Sequence, residues 1–108
     1  MNHAKPDDLV ELDKITGTAI IVSDETGEAV PILCDLRLYR HMLWCGDGFP
    51  RCAGGLSIEG SVWKRGETFW AHRNIGKQFL LTSGERKVHF FVADDQGGIA
   101  NIDSDWKG

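Results

Sequence analysis

Long apolar runs are absent from this sequence of 108 residues. None of its apolar stretches approaches the roughly 18 residues that a membrane-spanning helix requires. The amino-terminal stretch MNHAKPDD also lacks the apolar core of a secretory signal peptide. We therefore expect a cytoplasmic protein that has no membrane partner.

Cysteine is sparse, and its count is odd: Cys34, Cys45 and Cys52. An odd count without a secretory signal predicts free thiols rather than a disulfide framework. His41, Cys45 and Cys52 could ligate zinc, with Cys34 or His72 as a fourth ligand, but structural zinc sites usually contain closely spaced cysteine pairs. No such pair occurs, so we expect no bound metal.

Catalytic and cofactor motifs are missing as well. Neither the P-loop pattern nor the Gly-x-Gly-x-x-Gly dinucleotide pattern occurs. A nucleophilic cysteine needs a histidine beside it, and nothing in the sequence places Cys45 or Cys52 in that position. Asp94 and Asp95 lie in a predicted turn, where aspartate is favoured for backbone reasons. We therefore predict a non-enzymatic protein without a cofactor.

Regular alternation of apolar and polar residues is what the sequence does contain. Hydrophobic residues make up 42% of the chain, which is enough for one core. Turn residues interrupt the alternation about every ten residues after position 55. These features predict one mostly β domain over residues 1–108, with residues 1–8 flexible. We expect a small antiparallel barrel or sandwich built on a β meander, either all-β or α+β with one short helix.

Individual strands follow from the same pattern. A hairpin of residues 18–22 and 29–33 has a turn at Asp24-Glu25-Thr26-Gly27. Residues 35–44 fit a strand or a helix, and we favour the strand, whereas residues 9–15 fit neither period well. Residues 45–55 are rich in glycine and predict the longest loop. The further predicted strands are residues 56–63, 68–72, 78–82, 87–93 and 99–102, the last pairing with the strand before it.

The predicted hairpin of residues 56–73 has two faces. A four-residue loop would pair Val62 with Phe69 and place both in the core, together with Ile58 and Ala71. The opposite face would then carry two tryptophans, which need either a covering element or a partner. The residues of this predicted binding face are Glu59, Trp63, Trp70 and His72, with Lys64, Arg65 and Arg73 at its edge.

Charge is unevenly distributed along the chain. The net charge is −4, yet residues 63–91 hold six basic and two acidic residues. An aromatic and basic middle segment between acidic ends predicts a module that binds another protein or a second copy of itself. The first alternative is a barrel that binds single-stranded nucleic acid, although the low pI of about 5.5 argues against it. Its contact residues would be Trp63, Lys64, Arg65, Trp70, Arg73, Lys77, Arg86, Lys87 and Phe91.

A second alternative comes from a partial motif. Ser57 and Gly60 have the Ser-x-x-Gly spacing found in the PilZ barrels that bind cyclic dinucleotides, and this resemblance implies a barrel with a nucleotide-type ligand. Two departures stand against it. Gly55 occupies the position where that family carries Asp or Asn, and Arg37-x-x-Arg40 is one residue shorter than the family's Arg-x-x-x-Arg.

Overall fold

Six antiparallel strands and one short helix make up the protein in its computed structural model, which describes residues 7–43 and 52–106. In sheet order β3-β2-β1-β4-β5-β6, the strands form a nearly closed barrel. The predicted fold class is therefore confirmed. The elements are β1 (Asp7–Ser23), β2 (Ala29–Leu43), β3 (Cys52–Trp63), α1 (Trp70–Arg73), β4 (Gln78–Ser83), β5 (Arg86–Val92) and β6 (Ile99–Asp105).

Strands β1 and β2 form the predicted hairpin, with Ile21 opposite Val30. The turn closes through the N–H of Gly27, which donates to the Ser23 carbonyl oxygen at 2.8 Å. Gly27 has φ +73°, a conformation that glycine adopts without strain. Strand β2 continues through residues 35–43, so the strand interpretation of that stretch is confirmed. Its alternate residues Leu36 and Leu38 are fully buried.

The barrel closes along two short seams. On one side β1 pairs with β4 through Ile21, Val22 and Ser23, and the Asp24 N–H donates to the Gln78 carbonyl oxygen at 3.0 Å. On the other side Val62 of β3 donates its N–H to the Gly97 carbonyl oxygen at 2.9 Å, just before β6. Gly97 has φ +86°, and a Cβ at this position would overlap the Val62 carbonyl oxygen. The β3–β6 seam therefore requires glycine at position 97.

The core is one cluster of buried side chains from β1, β2, β3, α1, β4 and β5, together with Trp106. It includes an aromatic series in which the ring centroids of Trp70 and Phe79 are 5.7 Å apart, and those of Phe79 and Phe90 are 6.0 Å apart. Phe90 is fully buried, and Trp106 is 3% exposed after the end of β6. Among the described residues no helix has the length and apolar character needed to cross a membrane.

The predicted strand at residues 68–72 is wrong. Residues 68 and 69 form a turn, and Trp70–Arg73 is the helix α1. Local hydrogen bonds hold this conformation: the Trp70 N–H donates to the Glu67 carbonyl oxygen at 3.2 Å, and the Asn74 side-chain amide donates to the Trp70 carbonyl oxygen at 2.6 Å. The tight local bonding leaves no extended segment that could pair with β3.

Strand β3 pairs with β2 instead, and this pairing overturns the predicted faces of the hairpin. Val62 lies opposite Cys34 rather than Phe69. Phe69, expected in the core, is 66% exposed, whereas Trp70, expected on the polar face, is 6% exposed. Two boundaries also differ from the prediction. Residues 52–55 belong to β3 rather than to a loop, and Asp7 and Asp8 belong to β1; residues 1–6 and 45–51 lie outside the described residues.

Candidate binding surface

The outer face of the β1–β2–β3 sheet carries a contiguous apolar patch. Alternation along β2 places Ile32 and Cys34 in the core and turns Leu33 outward. Leu33 lies directly opposite Trp63 of β3, and Pro31 lies directly opposite Ile20 of β1. Directly opposed residues share a face, with their Cβ atoms about 5 Å apart. We call this patch the Trp63 surface; its residues are Ile20, Val22, Pro31, Leu33 and Trp63.

Exposure distinguishes the Trp63 surface from the core. Ile20 is 50% exposed and Trp63 is 42% exposed, while Val62, the neighbour of Trp63 on the inner face, is fully buried. Isolated apolar residues on a surface need no explanation, but contiguous apolar patches mark interaction sites. Tryptophan is also among the residue types that most often dominate binding energy.

An open depression of about 240 Å³ lies beside the patch. Its apolar side is formed by β1 and β2, and its basic side by Lys64 and Arg65, which directly follow β3. Lys64 Nζ lies 2.7 Å from Glu67 Oε2. Arg65 is exposed, and no ion pair joins it to any residue in 7–43 or 52–106. The lining residues are Thr18, Pro31, Ile32, Leu33, Lys64 and Arg65.

A charged band borders the patch farther along the same face. Arg37 donates from Nη1 to Glu11 at 2.8 Å and from Nε to Asp35 at 3.2 Å. Hydrogen bonds to Glu11 first and Asp35 second raise the pKa of the Arg37 guanidinium above its ordinary value. Glu59, one of the predicted site residues, is exposed and lies directly opposite Arg37. The guanidinium of Arg37 is thus already neutralised by its carboxylate partners.

Glu67 organises the segment between β3 and α1. It contacts Lys64 through one oxygen and Arg73 through the other, the latter at 2.8 Å. The hydrogen bond from Lys64 is the main cause that lowers the pKa of Glu67, and Arg73 acts in the same direction. This ion network lies in the loop next to the depression.

The structure brings together only part of the predicted binding face. Trp63, Lys64 and Arg65 lie together at the edge of the sheet, while Trp70 is buried against Phe79. His72 and Arg73 are exposed, but they belong to α1 rather than to a strand next to Trp63. Glu59 lies in the charged band.

The sequence pattern does not predict Ile20, Val22, Pro31 or Leu33 as surface residues. A signal was present in β1, where Ala-Ile-Ile-Val is apolar without alternation. Such a run marks a strand with apolar side chains on both faces. It does not say which face is the core, because that depends on which elements pack against each side.

The residues of the predicted zinc site have different environments. Cys34 is buried and donates to the Ile15 carbonyl oxygen at 3.6 Å, and burial raises the pKa of its thiol. His41 Nε2 lies 3.1 Å from Ser57 Oγ. Cys52 belongs to β3, and Cys45 lies outside the described residues. In the described part of the chain, no three His, Cys, Asp or Glu side chains group as a metal would need.

A second depression, of about 420 Å³, lies against β5 and β6, and its lining includes Asp24, His89 and Ser104. His89 Nε2 is 2.6 Å from Asp24 Oδ2, which is an ion-pair distance if the imidazole is protonated. Ser104 accepts the backbone N–H of His89 at 2.9 Å and also bonds Asn101. The hydroxyl thus contacts the backbone of His89, and a Ser–His–Asp arrangement would require contact with the imidazole.

The side chains of the Trp63 surface supply contact area and shape, and the neighbouring Arg65 supplies one exposed guanidinium. Neither feature depends on a bound cofactor. Function is inferred from this geometry, since no protein-family model matches the chain, and no curated protein or solved structure matches it either.

Proposed function

We propose that the protein is a non-enzymatic module that binds another protein through the Trp63 surface. The observation that supports this most directly is the pairing of Trp63 with Leu33 on the outer face of a sheet whose inner face already forms the core. Trp63 therefore contributes little to the described core, and its 42% exposed side chain is available for contact. We also propose a cytosolic location, which rests on the odd cysteine count.

The energetics of the patch suit a protein partner. Burying a large apolar side chain fully contributes about 1.5–3 kcal/mol relative to leaving it in water. The patch has apolar side chains on three adjacent strands, and its exposed members include Ile20, Val22 and Trp63. A partner that covers these side chains would gain several such contributions, offset by the cost of association. The charged band around Arg37 gives the interface a polar rim.

The nucleic-acid alternative has no specific observation in its favour. Its residues do not form one basic, aromatic groove: Trp70 is buried, and Lys64 and Arg73 share Glu67. Arg86 bonds Asp13 and the Ser83 carbonyl oxygen. Single-strand binding needs several cations available to phosphates and rings available to bases, so these contacts disfavour the nucleic-acid alternative.

The nucleotide-ligand alternative is likewise not favoured, because its motif residues are engaged within the protein. Ser57 contacts His41, and Arg40 donates to the Gly54 carbonyl oxygen at 3.1 Å. Gly60 has φ +146°, and a Cβ there would overlap the Asp35 carbonyl oxygen. The glycine thus has a structural role in the close approach of β3 to β2.

Affinity capture with a matched pair of variants tests the proposal. Wild-type protein, Trp63→Ala and Ile102→Ala would be immobilised at equal density and exposed to lysate of the native host. Ile102 is a suitable control because it is 40% exposed but lies on β6. We expect a partner that is retained by wild type and Ile102→Ala and lost from Trp63→Ala.

The melting temperature of each variant is the folding control, and we expect Trp63→Ala to melt within a few degrees of wild type. Sedimentation of the purified protein tests the remaining partner class, a second copy of the chain. If capture is the same for wild type and Trp63→Ala, and self-association is the same too, the proposed surface is wrong.

A further inference from the structure

We infer, on the basis of the proposed function, that the partner presents an acidic and apolar peptide segment to the Trp63 surface. An apolar side chain of that segment would occupy the depression beside Leu33. A neighbouring carboxylate would bind the guanidinium of Arg65.

The shape of the depression supports a side chain as its occupant. At about 240 Å³ it is smaller than the roughly 300–1,000 Å³ typical of pockets for whole small molecules. Pro31 and Leu33 contribute apolar wall, and Thr18 adds a short β-branched side chain. The depression is continuous with the Trp63 surface because Pro31 and Leu33 belong to both. A peptide can therefore fill the depression with one residue and cover Trp63 with the next.

The charges at the rim support a carboxylate. The segment of residues 64–73 holds three cations, Lys64, Arg65 and Arg73, against one carboxylate, Glu67, for a net charge of +2. Glu67 is shared between Lys64 and Arg73, which leaves Arg65 as the exposed cation without an ion pair to a described residue. A guanidinium presents two parallel N–H donors that match the two oxygens of a carboxylate. A basic segment would be repelled at the same place.

The same charges disfavour a second copy as the occupant. The five residues of the Trp63 surface include no acidic residue. In a two-fold arrangement the same patch lies on both sides, and of the neighbouring carboxylates on this face Glu11 and Asp35 are already bonded to Arg37. Phosphate-rich partners are disfavoured as well, because their affinity depends on several cations acting together. Of the three cations in residues 64–73, Lys64 and Arg73 are paired with Glu67, which leaves the guanidinium of Arg65.

Fluorescence anisotropy with synthetic peptides tests the inference. The probe is a labelled nine-residue peptide in which Leu and Phe alternate with Glu. Two matched peptides replace every Glu by Gln or by Lys, and a third replaces every Leu and Phe by Ser. We expect wild-type protein to bind the Glu probe at least tenfold more tightly than each of the other three.

Charge reversal at Arg65 gives the decisive comparison. Arg65 is exposed, so Arg65→Glu is expected to keep the wild-type melting temperature. We expect the affinity of this variant for the Glu probe to be at least tenfold lower than that of wild type. We expect its affinity for the Lys probe to be higher than that of wild type. Trp63→Ala is expected to weaken binding of every probe that contains Leu and Phe.

The outcomes separate this inference from the proposed function. If Trp63→Ala abolishes binding but Arg65→Glu leaves the ranking of the Glu, Gln and Lys probes unchanged, the surface binds apolar segments and the acidic specificity is wrong. If the peptide in which Ser replaces every Leu and Phe binds as tightly as the Glu probe, the partner needs no apolar side chains, and that part of the inference is wrong. If no probe distinguishes wild type from Trp63→Ala, the inference is overturned, and the capture experiment decides the proposed function independently.

Discussion

The indole N–H of Trp106 donates to Asp13 Oδ2 at 2.8 Å and so connects the end of β6 to β1. Asp13 lies where the β1–β2 register shifts, next to the irregularity between Glu11 and Asp13. Arg86 also donates to Asp13 Oδ2, at 3.2 Å. One carboxylate therefore contacts both the segment after β6 and the start of β5.

Acid should weaken this connection. The hydrogen bond from Trp106, followed by that from the Lys14 backbone and by Arg86, holds the pKa of Asp13 below its ordinary value. A carboxyl whose pKa is lower in the folded state stabilises the fold above its unfolded pKa, near pH 4, and loses that contribution as pH falls through the folded value. We therefore expect the urea midpoint to fall between about pH 4 and pH 2.

The variant Trp106→Phe removes the N–H donor and leaves an aromatic ring. It should be less stable than wild type at pH 7, and its urea midpoint should fall less steeply from pH 4 to pH 2. If the two proteins show parallel pH profiles, the Trp106 hydrogen bond is not what lowers the pKa of Asp13.

Gly97 should be irreplaceable at the β3–β6 seam. Gly97→Ala places a Cβ against the Val62 carbonyl oxygen at φ +86°. Strain of this kind costs about 1–3 kcal/mol from the backbone conformation alone, and displacement of the Val62 hydrogen bond adds to it. Gly55→Ala is the matched control, since its Cβ would meet nothing within 4 Å. Equal unfolding free energies for the two variants in urea would show that the barrel tolerates opening of this seam.

Phe69 and Trp70 should behave as opposites although they are adjacent. Trp70→Ala removes a 6% exposed ring that packs on Phe79 and should cost about 3–5 kcal/mol of unfolding free energy. Phe69→Ala truncates a 66% exposed ring and should change stability by less than about 0.5 kcal/mol. Urea denaturation measures the unfolding free energy of both variants. Equal losses of unfolding free energy would show that Phe69 also belongs to the core.

The alternation of apolar and polar residues predicts most of the strands but not the faces of Phe69 and Trp70. Alternation predicted the first hairpin and strands β4 and β5, because alternate residues of these strands are buried in the core. It also predicted β6, which pairs with β5 although none of its residues is buried. At Phe69 and Trp70 the same alternation was misleading. Glu67 and Asn74 accept and donate local hydrogen bonds that form a turn and a helix, and period two then no longer assigns faces.

The candidate site was predictable only in part. Trp63, Lys64 and Arg65 were predicted because aromatic and basic residues cluster there in the sequence. Leu33 and Ile20 were not, since their place beside Trp63 depends on the pairing of β3 with β2 and of β2 with β1. In the sequence, the apolar residues on the outward faces of these strands cannot be distinguished from apolar residues that face the core.

The most direct test of the Trp63 surface is ¹⁹F NMR of protein labelled with 5-fluorotryptophan and titrated with the partner captured by wild type. The chain has four tryptophans, so the spectrum is simple, and a Trp63→Phe variant assigns the Trp63 resonance. We expect the Trp63 resonance to shift on binding while those of the buried Trp70 and Trp106 stay unchanged. A partner that binds and leaves the Trp63 resonance where it was would contradict the account.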